Sequence, residues 1–153
     1  MTDFTGKTAA VTGSSGIGLG AALHLARSGA RVFLAGIDAG LNNEAAALAA
    51  GEGLDMTLHQ VDVADEDSVR SWAGQIAGET DVLHALVNAA GQQTYGTVED
   101  TGPADWDHSI AVNLRSCYLT SHVLYPLLKA AGGASVVHVA SGQGHNNQNN
   151  VLA

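Results

Sequence analysis

Residues 12–20 read TGSSGIGLG, from Thr12 to Gly20, and the reading of this stretch decides the fold. Before it stand Thr8, Ala9, Ala10 and Val11, a short apolar run expected of a buried strand. After it, Ala21, Ala22, Leu23, Leu25 and Ala26 are strong helix formers with apolar positions at helical spacing, and the helix they form should stop at Ser28-Gly29. A strand that passes through a glycine turn into a helix presents bare backbone N–H groups and the positive end of a helix dipole. That arrangement suits a pyrophosphate.

Working outward, the same unit recurs. Arg31 to Ala35 is a second apolar strand ending at Gly36-Ile37-Asp38, followed by an alanine-rich helix from about Leu41 to Ala50 that Gly51-Glu52-Gly53 closes. Met56 to Val61 reads as a third strand with Asp62-Val63 at its carboxyl end. Asp65 then caps a helix whose Val69, Trp72, Ala73, Ile76 and Ala77 repeat at helical spacing. Leu83 to Val87 is a fourth strand, almost wholly apolar, as expected where both faces of a sheet are covered; it leads into Asn88-Ala89-Ala90-Gly91. The polar stretch from Gln92 to Pro103 reads as a loop. A long helix from near Asp105 should carry Ile110, Leu114, Cys117, Ser121, Leu124 and Leu128 on one face, with Pro126 perturbing its last turns. After Gly132-Gly133, Ser135 to Ala140 is a fifth strand, and Gly142 onward is a polar loop or tail.

Strands alternating with helices, joined by right-handed crossovers, build an α/β domain with a parallel sheet covered on both faces. The expected strand order is 3-2-1-4-5, a Rossmann-like sheet with its ligand crevice between the first and fourth strands. The 153 residues fit a single domain, 1–153, and 46% apolar composition is enough to fill one core.

Composition narrows the partners. Six Lys and Arg against fifteen Asp and Glu give a net charge of −9 and leave no basic stripe for a nucleic-acid backbone or an anionic membrane surface. There is no apolar run of about eighteen residues to span a bilayer. One cysteine, Cys117, precludes an internal disulfide framework. With no charged-then-apolar leader before the first strand, the expected location is the cytoplasm. The seven histidines are scattered without ligand spacing, so no metal is expected. His145, in the polar GQGHNNQNN segment, is a candidate substrate contact set against a plain polar tail.

With Thr12-Gly13 and Gly16-Ile17-Gly18, Asp62-Val63, Asn88-Ala89-Ala90-Gly91, Val112-Asn113-Leu114 and Val139-Ala140-Ser141 in this order, the chain resembles the short-chain dehydrogenase/reductase family. The resemblance covers essentially all of it. It implies hydride transfer between a nicotinamide cofactor and a small alcohol or carbonyl substrate, in a homo-oligomer associating through the long helix. The cofactor's pyrophosphate would lie on Gly13, Ser15, Gly16, Ile17 and Gly18. Asp62 would hold the adenine amino group and the Val63 backbone the ring, while Asn88, Ala89, Ala90 and Gly91 would support the adenosine side and steady the sheet. Asn113 would order a water in a proton relay, and Ser141 would hydrogen-bond the substrate oxygen.

Two departures from the family's pattern stand out. Only Ser14 and Ser15 separate Gly13 from Gly16, one residue fewer than in the family's turn. The family's Tyr-x-x-x-Lys pair, counted from Ser141, falls just beyond Ala153, so the resemblance is to a truncated, N-terminal part. A tyrosine hydroxyl with an ordinary pKa of about 10 needs a neighbouring ammonium to act as a base near neutrality, so hydride transfer without that pair lacks its proton partner. Tyr125 and Lys129 form a literal Tyr-x-x-x-Lys, but before the fifth strand and on the long helix, where packing and a C-terminal cation explain them. No base stands near the end of the second strand or in the glycine turn, which favours NAD over NADP. Asp38 is either a ribose contact or an ordinary helix start. Two readings remain open: a cofactor-binding part of a dehydrogenase, and a dinucleotide-binding or interaction module without turnover.

Overall fold

The computed structural model describes residues 3–142. Five parallel strands, β1 (Thr8–Thr12), β2 (Arg31–Gly36), β3 (Met56–Gln60), β4 (Ala85–Asn88) and β5 (Ser135–His138), form one sheet in the order β3-β2-β1-β4-β5. The expected order is the observed one. In register, Thr12 lies beside Ala35 of β2 and Asn88 of β4, so the carboxyl ends of the three central strands share one edge.

Alternation along β1 and β2 builds a core on each face. Ala9, Val11, Val32 and Leu34 turn to one side with Ala22 and Ala26 of α1 (Gly16–Arg27) and Ala45 of α2 (Ala39–Glu52). Ala10, Phe33 and Ala35 turn to the other, against Val69, Trp72 and Ile76 of α3 (Glu66–Ala77). The α3 stripe packs as its spacing predicts, except that Ala77 falls on the exposed side. Asp65 caps this helix with its carboxylate, accepting from the Asp67 and Ser68 amides.

The long helix departs from expectation. Pro103–Ile110 is α4, Ala111–Arg115 is a π-helical turn, and Ser116–Ala130 is α5. A π turn takes up more residues per revolution than an α turn, so the apolar stripe drawn at α spacing slips out of phase across it. Leu114 is therefore 65% exposed, while Leu119, Thr120, Leu124 and Leu128 pack inward. The face running from Ile110 to Leu128 is thus not the continuous stripe expected. Pro126 does not interrupt the helix. The fourth strand also starts later than expected: Leu83 is buried ahead of the ladder, its amide donating to the Leu127 carbonyl of α5 at 3.0 Å. At the far edge every residue of β5 is exposed. His145 and most of the polar segment after Ser141 lie outside the described residues.

Candidate functional site

The glycine turn sits where β1, β2 and β4 end together. Gly13 has φ +96°, and its amide donates to the Ala35 carbonyl of β2 at 2.8 Å. A Cβ at Gly13 would stand 3.1 Å from the Ala89 carbonyl oxygen, so the turn lies directly on the segment that follows β4. Thr12 locks the same junction: its buried hydroxyl accepts from the amides of Ala89 and Ala90, each at 3.1 Å. Gly18, in the first turn of α1, would put a Cβ 2.1 Å from the Gly13 carbonyl oxygen. Close approach without side chains is why glycine is needed at these positions.

Ser15 is the N-cap of α1, yet its side chain makes no capping hydrogen bond, and no acidic residue stands in the first turn. The leading N–H groups of α1 consequently have no capping side chain and no acidic residue within their own turn, the condition under which a helix start takes an anion. Ile17 points outward, 67% exposed.

A cleft opens in front of this turn. Gly13, Ser14, Ser15, Gly36, Asp38, Asp62, Val63, Ala90, Gly91, Gln92 and Val112 are among its lining residues, and among the described residues no lysine or arginine lines it. Asp38 does act as a helix start, its carboxylate accepting from the Leu41 amide at 2.9 Å, while also lining the cleft. Asp62 is held by an equally local turn, with its Oδ1 accepting from the Ala64 amide at 2.9 Å and its own amide donating to Ser68 Oγ at 3.0 Å. The π turn braces this loop from above, since Arg115 donates to the Ala64 carbonyl at 3.2 Å and pairs with Glu66 at 3.5 Å. The hydrogen bond from Arg70, with smaller help from the Arg115 charge, holds the Glu66 carboxyl below its usual range.

Asn88 and Asn113 are structural first. The Asn88 side chain, 3% exposed, turns away from the cleft, with Oδ1 accepting from Thr120 at 2.7 Å and Nδ2 meeting His138 Nδ1 at 3.1 Å. It therefore ties β4 to α5 and β5, and of the Asn88 to Gly91 segment it is Ala90 and Gly91 that line the cleft. Asn113 grips the backbone of Gln92 at both ends, accepting from its amide and donating to its carbonyl, each at 2.8 Å. Gln92 is a lining residue that sequence reasoning passed over as loop; its Oε1 meets His108 Nε2 at 2.9 Å. Ser141 lies three residues past the end of β5 and is exposed. Tyr125, 58% exposed on α5, is absent from the cleft lining, as is Lys129. Among the described residues no cluster of His, Cys, Asp and Glu could hold a metal ion, and no helix is long and apolar enough to cross a membrane.

Comparison with known proteins agrees with this architecture. The sequence is 37% identical over 143 residues to D-beta-hydroxybutyrate dehydrogenase of Cupriavidus necator, covering 91% of this chain and 54% of that protein. It is 40% identical over 141 residues to D-threitol dehydrogenase of Mycolicibacterium smegmatis, covering 89% and 53%. The crystal structure of a metagenomic short-chain oxidoreductase in complex with NADP superposes with a TM-score of 0.90 at 30% identity, over 98% of this chain and 69% of that one. The chain thus spans about half the length of the curated relatives it matches. The pattern described as short chain dehydrogenase matches residues 7–153, and the chain belongs to that family.

Proposed function

We propose that the chain is the dinucleotide-binding part of an NAD-dependent oxidoreductase that interconverts a small alcohol and a carbonyl compound. The carrying observation is the cleft itself: an uncapped helix start, close-packed glycines and two carboxylates converge there with no lysine or arginine among the described residues that line it. These residues fit a dinucleotide with free ribose hydroxyls, because a 2′-phosphate would meet Asp38 and no cation. A bound nicotinamide would supply the hydride donor or acceptor for the substrate carbon.

The chain's own residues supply the surroundings. The α1 start and the turn from Gly13 to Gly18 receive the pyrophosphate, the Asp62-Val63 turn receives the adenine, and Ala89, Ala90 and Gly91 form the opposite wall. Asn113 fixes Gln92 at the mouth of the cleft and orders a water for proton transfer. Ser141 donates to the substrate oxygen. The base is a Tyr-x-x-x-Lys pair supplied by residues outside this sequence. Self-association runs through α5 and the π turn before it, where Tyr118 and Tyr125 of the helix and Leu114 of the turn are exposed.

Spectrophotometry of NAD reduction by the purified 153-residue chain, with and without an added C-terminal segment carrying that pair, tests the proposal. Nucleotide binding without turnover by the chain alone, and turnover on adding the segment, is the expected result. Turnover by the chain alone would overturn the assignment of the base. Binding without turnover in both would favour the non-catalytic module.

A further inference from the structure

The loop from Val61 to Asp65, between β3 and α3, meets the π turn of Ala111–Arg115, and both segments line the cleft, Asp62 and Val63 from one and Val112 from the other. Arg115 is absent from that lining, so it acts on a bound molecule only through the segments it holds. Its guanidinium holds two groups at once. Nη1 donates to the Ala64 carbonyl at 3.2 Å, and Nη2 lies 3.5 Å from Oε2 of Glu66, the first residue of α3. Among the described residues, this is the only hydrogen bond that reaches residues 62–65 from outside the 61–70 segment.

The ion pair itself contributes little to stability, since both side chains are nearly half exposed, at 47% and 43%, and water screens such a pair. What the planar fork supplies is direction, because donors in fixed relation fix their acceptors. Ala64 is the residue so fixed. Its carbonyl accepts from Arg115 while its amide donates to Asp62 Oδ1 at 2.9 Å. One oxygen of the Asp62 carboxylate is thus tied back to a residue that Arg115 anchors, and Oδ2 has no hydrogen bond among the described residues. The π turn decides where Arg115 points: the extra residue that turns Leu114 out, 65% exposed, brings the next side chain over the Ala64 loop. We infer that Arg115 is a positioning residue for base recognition: by anchoring Ala64 it holds the Asp62 carboxylate at the angle that accepts from the amino group of adenine. A base with a keto oxygen in that place sets an acceptor against the carboxylate and is turned away.

The inference rests on the dinucleotide reading, and a comparison of two dinucleotides separates the two. Calorimetry on the 153-residue chain measures NAD against nicotinamide hypoxanthine dinucleotide, which carries a keto oxygen in place of the adenine amino group. The unaltered chain should favour NAD about tenfold, the worth of one hydrogen bond to a charged group. Arg115→Met, similar in length but without donors, should narrow the ratio to about twofold, because an unanchored carboxylate gives up most of a bond that depends on its angle. Arg115→Lys keeps a donor for the Ala64 carbonyl and should restore most of the preference. A general loosening of the fold would lower both affinities and leave their ratio alone. A ratio unchanged in Arg115→Met, or a lysine variant no better than the methionine one, overturns the Arg115 assignment and leaves the dinucleotide reading standing. Equal binding of the two dinucleotides by the unaltered chain does the same. Binding of neither overturns both.

Discussion

Gly18 lies so close beneath Gly13 that a Cβ on it would come within 2.1 Å of the Gly13 carbonyl oxygen and 2.7 Å of the Thr12 carbonyl oxygen. Both obstacles are backbone atoms, so neither can rotate aside. The start of α1 is thereby seated on the turn, and its N–H groups face the cleft at a fixed distance.

Gly18→Ala should therefore push α1 away from β1. The expected cost is about 3 kcal/mol, at the upper end for an inserted methyl group, together with loss of dinucleotide binding. Thermal unfolding followed by circular dichroism measures the first and calorimetry the second. Gly20, also in α1 and with nothing near its Cβ position, should accept alanine without loss of either.

Asn113 makes two reciprocal bonds to Gln92, and their removal leaves a lining segment of the cleft held mainly by the His108 contact. Asn113→Leu should cost about 2 kcal/mol, two bonds at about 1 kcal/mol each, and should speed hydrogen exchange at the Gln92 amide. Exchange measured by NMR checks this; an unchanged rate would show that the bonds do not hold the loop.

Much of this was legible in the sequence, for reasons that differ by element. The strands of the sheet's centre are short apolar runs bounded by glycine, and strand-turn-helix units have few ways to be wound, so the order around β1 follows from local signals. The π turn was not legible, because AVNLR at 111–115 is an unexceptional helical sequence and the extra residue is accommodated by packing of α5 on the sheet. Leu114 was misplaced as a result. The resemblance gives Asn88 both a cofactor-side and a sheet-steadying role, and strand alternation, which sends its side chain to the face of α5 against Thr120, accounts for the second. The bond from Arg115 to Ala64 joins two segments 51 residues apart, and no local pattern announces such a contact. Gln92 carried one usable signal, a polar residue immediately after the Gly91 that ends the β4 segment.

Exposed apolar surface on α5 should make the chain associate. Tyr118 stacks on His122 with 5.4 Å between ring centroids and remains 62% exposed, alongside Leu114 and Tyr125. A patch of this kind on a helix marks a contact surface. Sedimentation velocity should show concentration-dependent dimers, and Tyr118→Lys combined with Tyr125→Lys should yield monomers. A monomer at every concentration in the unaltered chain would remove α5 as the contact.

Stability should fall as the solution is acidified below neutrality, partly through His84. Burial, and secondarily the charge of Lys7, lowers its pKa below the ordinary 6.5, and its Nδ1 accepts from the Thr8 amide at 3.1 Å. The neutral ring is thus favoured in the folded state. Its contribution is complete above pH 6.5 and is lost as pH falls through the lowered folded value, because the unfolded chain takes up the proton first. His84→Asn retains an acceptor but cannot titrate. Urea unfolding between pH 7.5 and 5 should show a steeper decline for the unaltered chain than for the variant.

The central claim is that the cleft in front of residues 13–18 receives a dinucleotide. Titration of the isotope-labelled 153-residue chain with NAD, followed amide by amide in nitrogen–proton NMR spectra, tests it most directly. The account predicts saturable shifts at Gly13 to Leu19, Gly36 to Asp38, Asp62 to Ala64 and Ala89 to Gln92, with α5 beyond Tyr118 unaffected. Absence of shifts at saturating NAD, or shifts confined to α5 and β5, would contradict it.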